Sequence, residues 1–156
     1  MPPSPVLRRA APDDADALAD LYFAVRAESV PAIPPQVHDL ESNRWWVRDL
    51  LLPRTDVTVA EAAGELVGFV SVAEPDHLEH LYLRRAWTGS GLGSRLVDLA
   101  TDRLPDGLQL WAFQSNTGAV RFYERHGFVA VEWTDGDNEE GAPDILYVWR
   151  GLQQRD

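Results

Sequence analysis

The chain has 156 residues, a formal net charge of −11 and no cysteine, and every basic residue apart from four histidines is arginine. A chain of this length suits one domain, residues 1–156, able to bury its own core. The composition excludes disulfides, thiolate metal sites, a cysteine nucleophile and any lysine-based chemistry, and the acidic balance argues against nucleic acid or an anionic membrane as partner while mildly favouring a cationic one.

Val6 to Arg9 reads as a first short strand. Ala11-Pro12-Asp13-Asp14 opens a helix, because proline suits a first turn and acidic residues suit its positive end. Leu18, Leu21, Tyr22 and Val25 share one face of it. Pro31, Pro34 and Pro35 break the chain. A second helix is expected over 37–52, with Leu40, Trp46, Val47, Leu50 and Leu51 facing inward and Pro53 ending it. Asp56 to Ala62 and Glu65 to Ala73 read as strands around an Ala63-Gly64 hairpin turn, and Leu78 to Leu83 as another. A helix over Ser90 to Leu104 places Leu92, Leu96, Leu99 and Ala100 on its apolar side. Leu108 to Phe113 is a strand, and Thr117 to His126 a helix ending at Gly127. Phe128 to Thr134 and Ile145 to Trp149 are the last strands, joined by an acidic loop from Asp135 to Asp144. This order predicts an α/β (α+β) fold with helices on both faces of a sheet of about seven strands.

The sharpest local signal is Leu81-Tyr82-Leu83-Arg84-Arg85-Ala86-Trp87-Thr88-Gly89-Ser90-Gly91-Leu92-Gly93-Ser94. A strand runs through a short loop into closely spaced glycines that open a helix. Glycines let the backbone approach an anion with bare N–H groups, and the helix start adds partial positive charge. The natural ligand is a phosphate or diphosphate. The spacing Gly89-x-Gly91-x-Gly93 is not that of a dinucleotide fingerprint, and the lysine of a P-loop is missing.

A second segment, Leu110-Trp111-Ala112-Phe113-Gln114-Ser115-Asn116-Thr117-Gly118-Ala119-Val120-Arg121-Phe122-Tyr123-Glu124-Arg125-His126-Gly127-Phe128, joins a strand to a helix through an asparagine. Together the two segments resemble the GNAT superfamily of N-acyltransferases. Leu81-Tyr82-Leu83 resembles the family's fourth strand, and Thr88 to Gly93 its acyl-CoA signature. Asn116, Ala119, Phe122-Tyr123-Glu124 and Gly127-Phe128 match its second motif. Thr88 departs from the Arg or Gln usual there, and Arg85 from a common proline.

The resemblance implies a mixed, mostly antiparallel twisted sheet and an acetyl-CoA-dependent transfer of an acetyl group to a primary amine, made directly in a ternary complex. Leu81, Tyr82 and Leu83 would border the pantetheine arm, with backbone contacts from Leu81 and Leu83. A backbone N–H near Leu83 would polarise the thioester carbonyl. Thr88, Gly89, Ser90, Gly91, Leu92, Gly93 and Ser94 would hold the diphosphate, and Asn116 would touch the arm. Tyr123 stands where the family's tyrosine protonates the departing thiolate. Glu79, His80 and His77 are candidates for the base, Glu79 first; alternation predicts that only one of Glu79 and His80 reaches the cleft. Trp45 and Trp46, with His80, are candidates for the acceptor pocket, although a helix face packed on the sheet is the plainer account of Trp46. The acidic loop either attracts a cationic amine or is merely solvated.

No compact histidine spacing suggests a metal. No apolar run is long enough to cross a bilayer, and Met1 to Arg9 does not read as a signal peptide, so a cytoplasmic protein is expected. Two alternatives remain: a non-catalytic acyl-CoA sensor, and a protein-interaction domain that forms a homodimer through its last strands.

Overall fold

The structure, a computed structural model, describes residues 4–151. The ends of the expected domain, and the start of the segment read for a leader, lie outside the described residues. β1 (Val6–Arg9) leads through a turn at Pro12–Asp14 into α1 (Ala15–Glu28). That corner is tied by Asp14, whose carboxylate accepts from the Ala11 N–H at 2.7 Å and pairs with Arg8 at 2.8 Å. α2 (Leu40–Trp46) starts later than its hydrophobic pattern suggests, because Asp39 keeps an extended backbone and caps the helix by accepting from the Ser42 N–H at 2.8 Å.

The second helix also ends differently from expectation. Over Val47–Leu51 it widens to a π turn, with the Leu52 N–H bonded to the Val47 carbonyl, and then closes with α3 (Leu52–Arg54). A proline clashes with the carbonyl four residues before it in a regular helix, and a widened turn relieves that clash. Pro53 is therefore carried inside the last turn. Of the five residues expected inward, Val47 and Leu51 are buried and Leu40, Trp46 and Leu50 half-buried; the polar Asn43 takes the remaining buried place, bonded to Gln36.

β2 (Asp56–Ala62), β3 (Glu65–Ala73) and β4 (His77–Leu83) form an antiparallel meander with β1. Its first hairpin turns on Ala63 and Gly64, with φ of 52° and 81°, the left-handed pair a two-residue turn requires. α4 (Leu92–Arg103), β5 (Leu108–Phe113), α5 (Thr117–Arg125), β6 (Val129–Trp133) and β7 (Asp144–Trp149) complete the chain order. The seven strands lie in the order β1-β2-β3-β4-β5-β7-β6, and β4–β5 is the parallel contact.

Helices cover both faces. On one, Leu18, Leu21 and Val25 of α1 pack with Val47 and Leu51 onto Val57, Val59 and Phe69. On the other, Leu92, Leu96 and Ala100 of α4, with Tyr123 and Phe128, pack onto Val70, Leu78, Leu110 and Tyr147. Two irregularities interrupt the sheet near its middle. β4 and β5 pair only at His77 and Gln109, where the Gln109 N–H bonds to the Asp76 carbonyl at 2.7 Å, and then separate. And Ser71 pairs with His80 while Val72 pairs with Leu78, so Glu79 is an extra residue bulged out of β4.

Candidate active site

Where β4 and β5 part, a cleft of about 560 Å³ opens between them. β4 contributes Leu78 to Leu83, β5 contributes Leu110 to Phe113, and α5 forms the far wall; Val25, Ser29 and Ile33 close it from α1 and the loop after it. The Arg84 N–H bonds to the Val67 carbonyl on β3 at 2.9 Å. Strand N–H groups alternate in direction, so those of Leu83 and Leu81 point away from β3 and into the gap. A sheet edge is thus left unpaired inside the protein, able to bond an extended ligand.

The cleft continues to the glycine turn. Gly89 and Gly91 have φ of 75° and 90°, and a methyl on either would meet open space, so glycine is needed there for its backbone conformation. Gly93 is needed for room, since a methyl would sit 3.0 Å from Cε1 of Phe122. The positive φ values also explain why the helix begins at Leu92 and not at Ser90. Among the described residues the N–H groups of Gly89, Ser90 and Gly91 have no backbone acceptor, and those of Gly93 and Ser94 belong to the first turn of α4, which has no intrahelical partners for them. This row of free donors at a positive helix end fits a diphosphate. Thr88 turns its hydroxyl onto the Arg85 carbonyl at 2.7 Å.

Tyr123, on the buried side of α5, packs against Phe128 and Tyr147 at ring distances of 5.5 and 6.3 Å. Among the described residues its hydroxyl has no hydrogen-bond partner, and it lines the cleft. Burial pushes the phenol well above its ordinary pKa, so it stays protonated and can donate. Asn116 caps α5, its side-chain oxygen accepting from the Ala119 N–H at 3.3 Å, and lines the cleft.

The bulge corrects one expectation. It breaks the alternation of β4, so Glu79 and His80 both line the cleft. Glu79 is exposed. His80 donates to or accepts from the Ser71 hydroxyl at 2.8 Å and lies among the rings of Tyr22, Trp46, Phe69 and Tyr82. Burial first, and then the nearby Arg26 charge, lower its pKa to about 4. His80 is therefore neutral at pH 7 and a weak base. Tyr82 stacks on Phe69 at 5.8 Å, and burial raises its pKa. Trp46 packs on Tyr22 and His80 behind the cleft, whereas Trp45 is exposed and His77 ends the pairing of β4; none of these three lines the cleft.

The acidic loop is not simply solvated. Asn138 folds it on itself by bonding to Ala142 and Asp144. Glu140 turns inward to the buried Arg26 at 3.3 Å, and Glu139 pairs with His38. Ser115 donates to the Ala32 carbonyl at 2.6 Å. The loop after α1 is thereby fastened across the parting of β4 and β5. Sequence reasoning missed Arg26, Ser29, Ile33, Arg125 and His126 as residues at or around the cleft. The last two come directly after Phe122-Tyr123-Glu124, and the three-residue step from Tyr123 to His126 is the signal that could have found His126.

A mixed sheet parted between two parallel strands, with a row of free N–H groups at one end of the gap and a phenol without a described partner beside it, is the arrangement that the resemblance to the acyltransferases implies. The chain matches the model of the acetyltransferase (GNAT) domain over residues 35–147. It belongs to the GNAT family and is an N-acetyltransferase acting through acetyl-CoA-dependent transfer in the general manner of that family. It is 31% identical over 121 residues to peptidyl-lysine N-acetyltransferase YiaC of Escherichia coli strain K12, a match covering 73% of this chain and 80% of that protein. Among solved structures it resembles a GCN5-related N-acetyltransferase from Rhodopseudomonas palustris, with 25% identity and a TM-score of 0.73 over 97% of this chain and 98% of that one. It also shares its fold with PaiA N-acetyltransferase from Thermoplasma acidophilum, solved with coenzyme A, at 16% identity and a TM-score of 0.73 over 95% and 99%. Among the described residues no helix is long and apolar enough to cross a membrane, and no group of three or more His, Asp or Glu side chains is placed to hold a metal ion.

Proposed function

We propose that the chain, as one domain, transfers the acetyl group of acetyl-CoA to a primary amine of a peptide or small molecule, directly and with both substrates bound. The observation that carries this is the continuity of the cleft: free strand N–H groups, the glycine cradle and the Tyr123 hydroxyl all open onto one space. Acetyl-CoA supplies the acetyl group as an activated thioester. The N–H groups of Gly89, Ser90, Gly91, Gly93 and Ser94 hold the diphosphate, while those of Thr88 and Leu92, engaged by the Arg85 carbonyl at 3.1 Å and the Ser90 hydroxyl at 3.4 Å, do not. The Leu83 N–H, nearest the cradle, aligns the pantetheine arm, with Tyr82 beside it, and Asn116 touches the arm from α5. The Leu81 N–H, further from the cradle and toward the bulge, stabilises charge developing on the thioester oxygen. Tyr123 donates its proton to the departing sulfur.

Glu79 is the better choice for accepting the amine's proton, through water, because His80 holds a proton too weakly. His80 and Trp46 instead shape the acceptor end, and Trp45 offers a surface contact near it. A lysine side chain of a peptide is the favoured acceptor: the relative's activity on peptidyl-lysine points to it, and the net charge of −11 favours a cation. The test is release of free thiol from acetyl-CoA against lysine peptides, blocked peptides and small polyamines. Release with lysine peptides supports the reading; tight acetyl-CoA binding with no release for any amine would make the chain a sensor.

A further inference from the structure

His126 takes no part in the acetyl transfer itself, yet it lines the cleft at the cradle end. It stands just past α5, with its ring 4.4 Å from that of Phe122. Nδ1 lies 2.7 Å from the Phe122 carbonyl and Nε2 lies 2.9 Å from the Ser94 hydroxyl. A carbonyl only accepts, so Nδ1 carries a hydrogen. In the neutral ring Nε2 is then the acceptor, and the Ser94 O–H donates to it. Ser94 is the third residue of α4, in the turn whose free N–H groups form the cradle.

We infer that His126 is a positioning residue for the diphosphate, acting through Ser94, and that binding of the ligand brings a proton onto its ring. The inference rests on the acetyl-CoA reading. A phosphate oxygen at the cradle is a better acceptor for the Ser94 hydrogen than imidazole is. Once that hydrogen turns to the phosphate, Nε2 loses its donor and faces an anion. The charged ring is then favoured; one proton comes from solvent, and Nε2–H donates to Ser94 Oγ while Ser94 donates to phosphate. Imidazole is the side chain that makes such a change near neutral pH.

The surroundings leave this role to the ligand. Of the residues lining the cleft, Glu79 alone is acidic, and it sits on the β4 bulge. On α5, Glu124 is engaged by the Tyr147 hydroxyl at 3.2 Å, and the other charged residues of that helix, Arg121 and Arg125, are cationic. On α4, Arg95 reaches the Pro5 carbonyl at 3.0 Å and Asp98 lies a turn further on, exposed. Among these described residues, none offers His126 a free carboxylate.

The experiment is calorimetry of coenzyme A binding to the whole chain at pH 7.5, in HEPES and in Tris, whose ionisation enthalpies differ. The expected result is uptake of a substantial fraction of one proton. Uptake should be absent with pantetheine, which has no phosphate, and much reduced in Ser94→Ala and in His126→Asn, with coenzyme A bound about 3- to 10-fold more weakly by His126→Asn. Binding of coenzyme A without proton uptake, or equal uptake in His126→Asn, overturns the inference and leaves the acetyl-CoA reading standing. Failure of coenzyme A to bind overturns both.

Discussion

Replacing Tyr123 with phenylalanine removes one oxygen from the cleft and nothing else. Its ring is held by Phe128 and Tyr147, and those contacts survive. Its hydroxyl bonds to no described residue, so folding loses no hydrogen bond. A buried polar group without a partner is itself a cost, and stability should change by less than about 1 kcal/mol, in either direction. Coenzyme A affinity should also hold, since the cradle and the strand N–H groups are untouched. Turnover should not. Loss of a positioned proton donor costs about 100-fold or more in kcat, which is about 2.7 kcal/mol of barrier. The assay is steady-state thiol release with a lysine peptide, together with a melting curve and a coenzyme A titration on the same preparation. A variant that keeps its turnover within about threefold would remove Tyr123 from the acid role. One that loses coenzyme A affinity along with turnover would make it a binding residue.

Two other perturbations probe the walls of the site. Glu140→Gln leaves the Arg26 guanidinium, 5% exposed and already lacking a partner at Nε, without its counter-charge; a loss of about 2 kcal/mol is expected in urea unfolding, against less than about 0.5 kcal/mol for Glu139→Gln in its exposed pair with His38. His80 gives a pH signature. Its folded pKa of about 4 lies below the ordinary 6.5, so the unfolded chain takes up a proton first as pH falls. The stability it contributes is present above 6.5 and is lost progressively down to 4. Between pH 7 and pH 5 the protein should lose about 2 kcal/mol more than His80→Gln does, and parallel losses in the two would show that His80 titrates freely.

The parts of the molecule governed by neighbours in sequence were legible. β5 and β7 alternate between buried and half-buried or exposed positions, the turns follow their glycines, and Gly89, Gly91 and Asn116 announce the glycine turn and the α5 cap. What was not legible depends on distant partners. No glycine or proline marks the bulge at Glu79; it exists because two strands of unequal count must stay in register. The π turn that carries Pro53 inside its helix has no local signature either. The pairing of Arg26 with Glu140 joins residues 114 positions apart, and an acidic loop reads as solvated until its partner is known. Trp45 and Trp46 are indistinguishable by type, and only the helix's rotation decides that one packs on Tyr22 while the other faces water.

The single bridge between His77 and Gln109 makes the sheet two half-sheets sharing a hinge. Unbonded amides such as those of Leu81 and Leu83 exchange with solvent on their own clock, apart from the ladder on β3. A ligand that zips the seam would slow them selectively, so deuterium uptake at these few positions would report an occupied site even where the rest of the protein stays still.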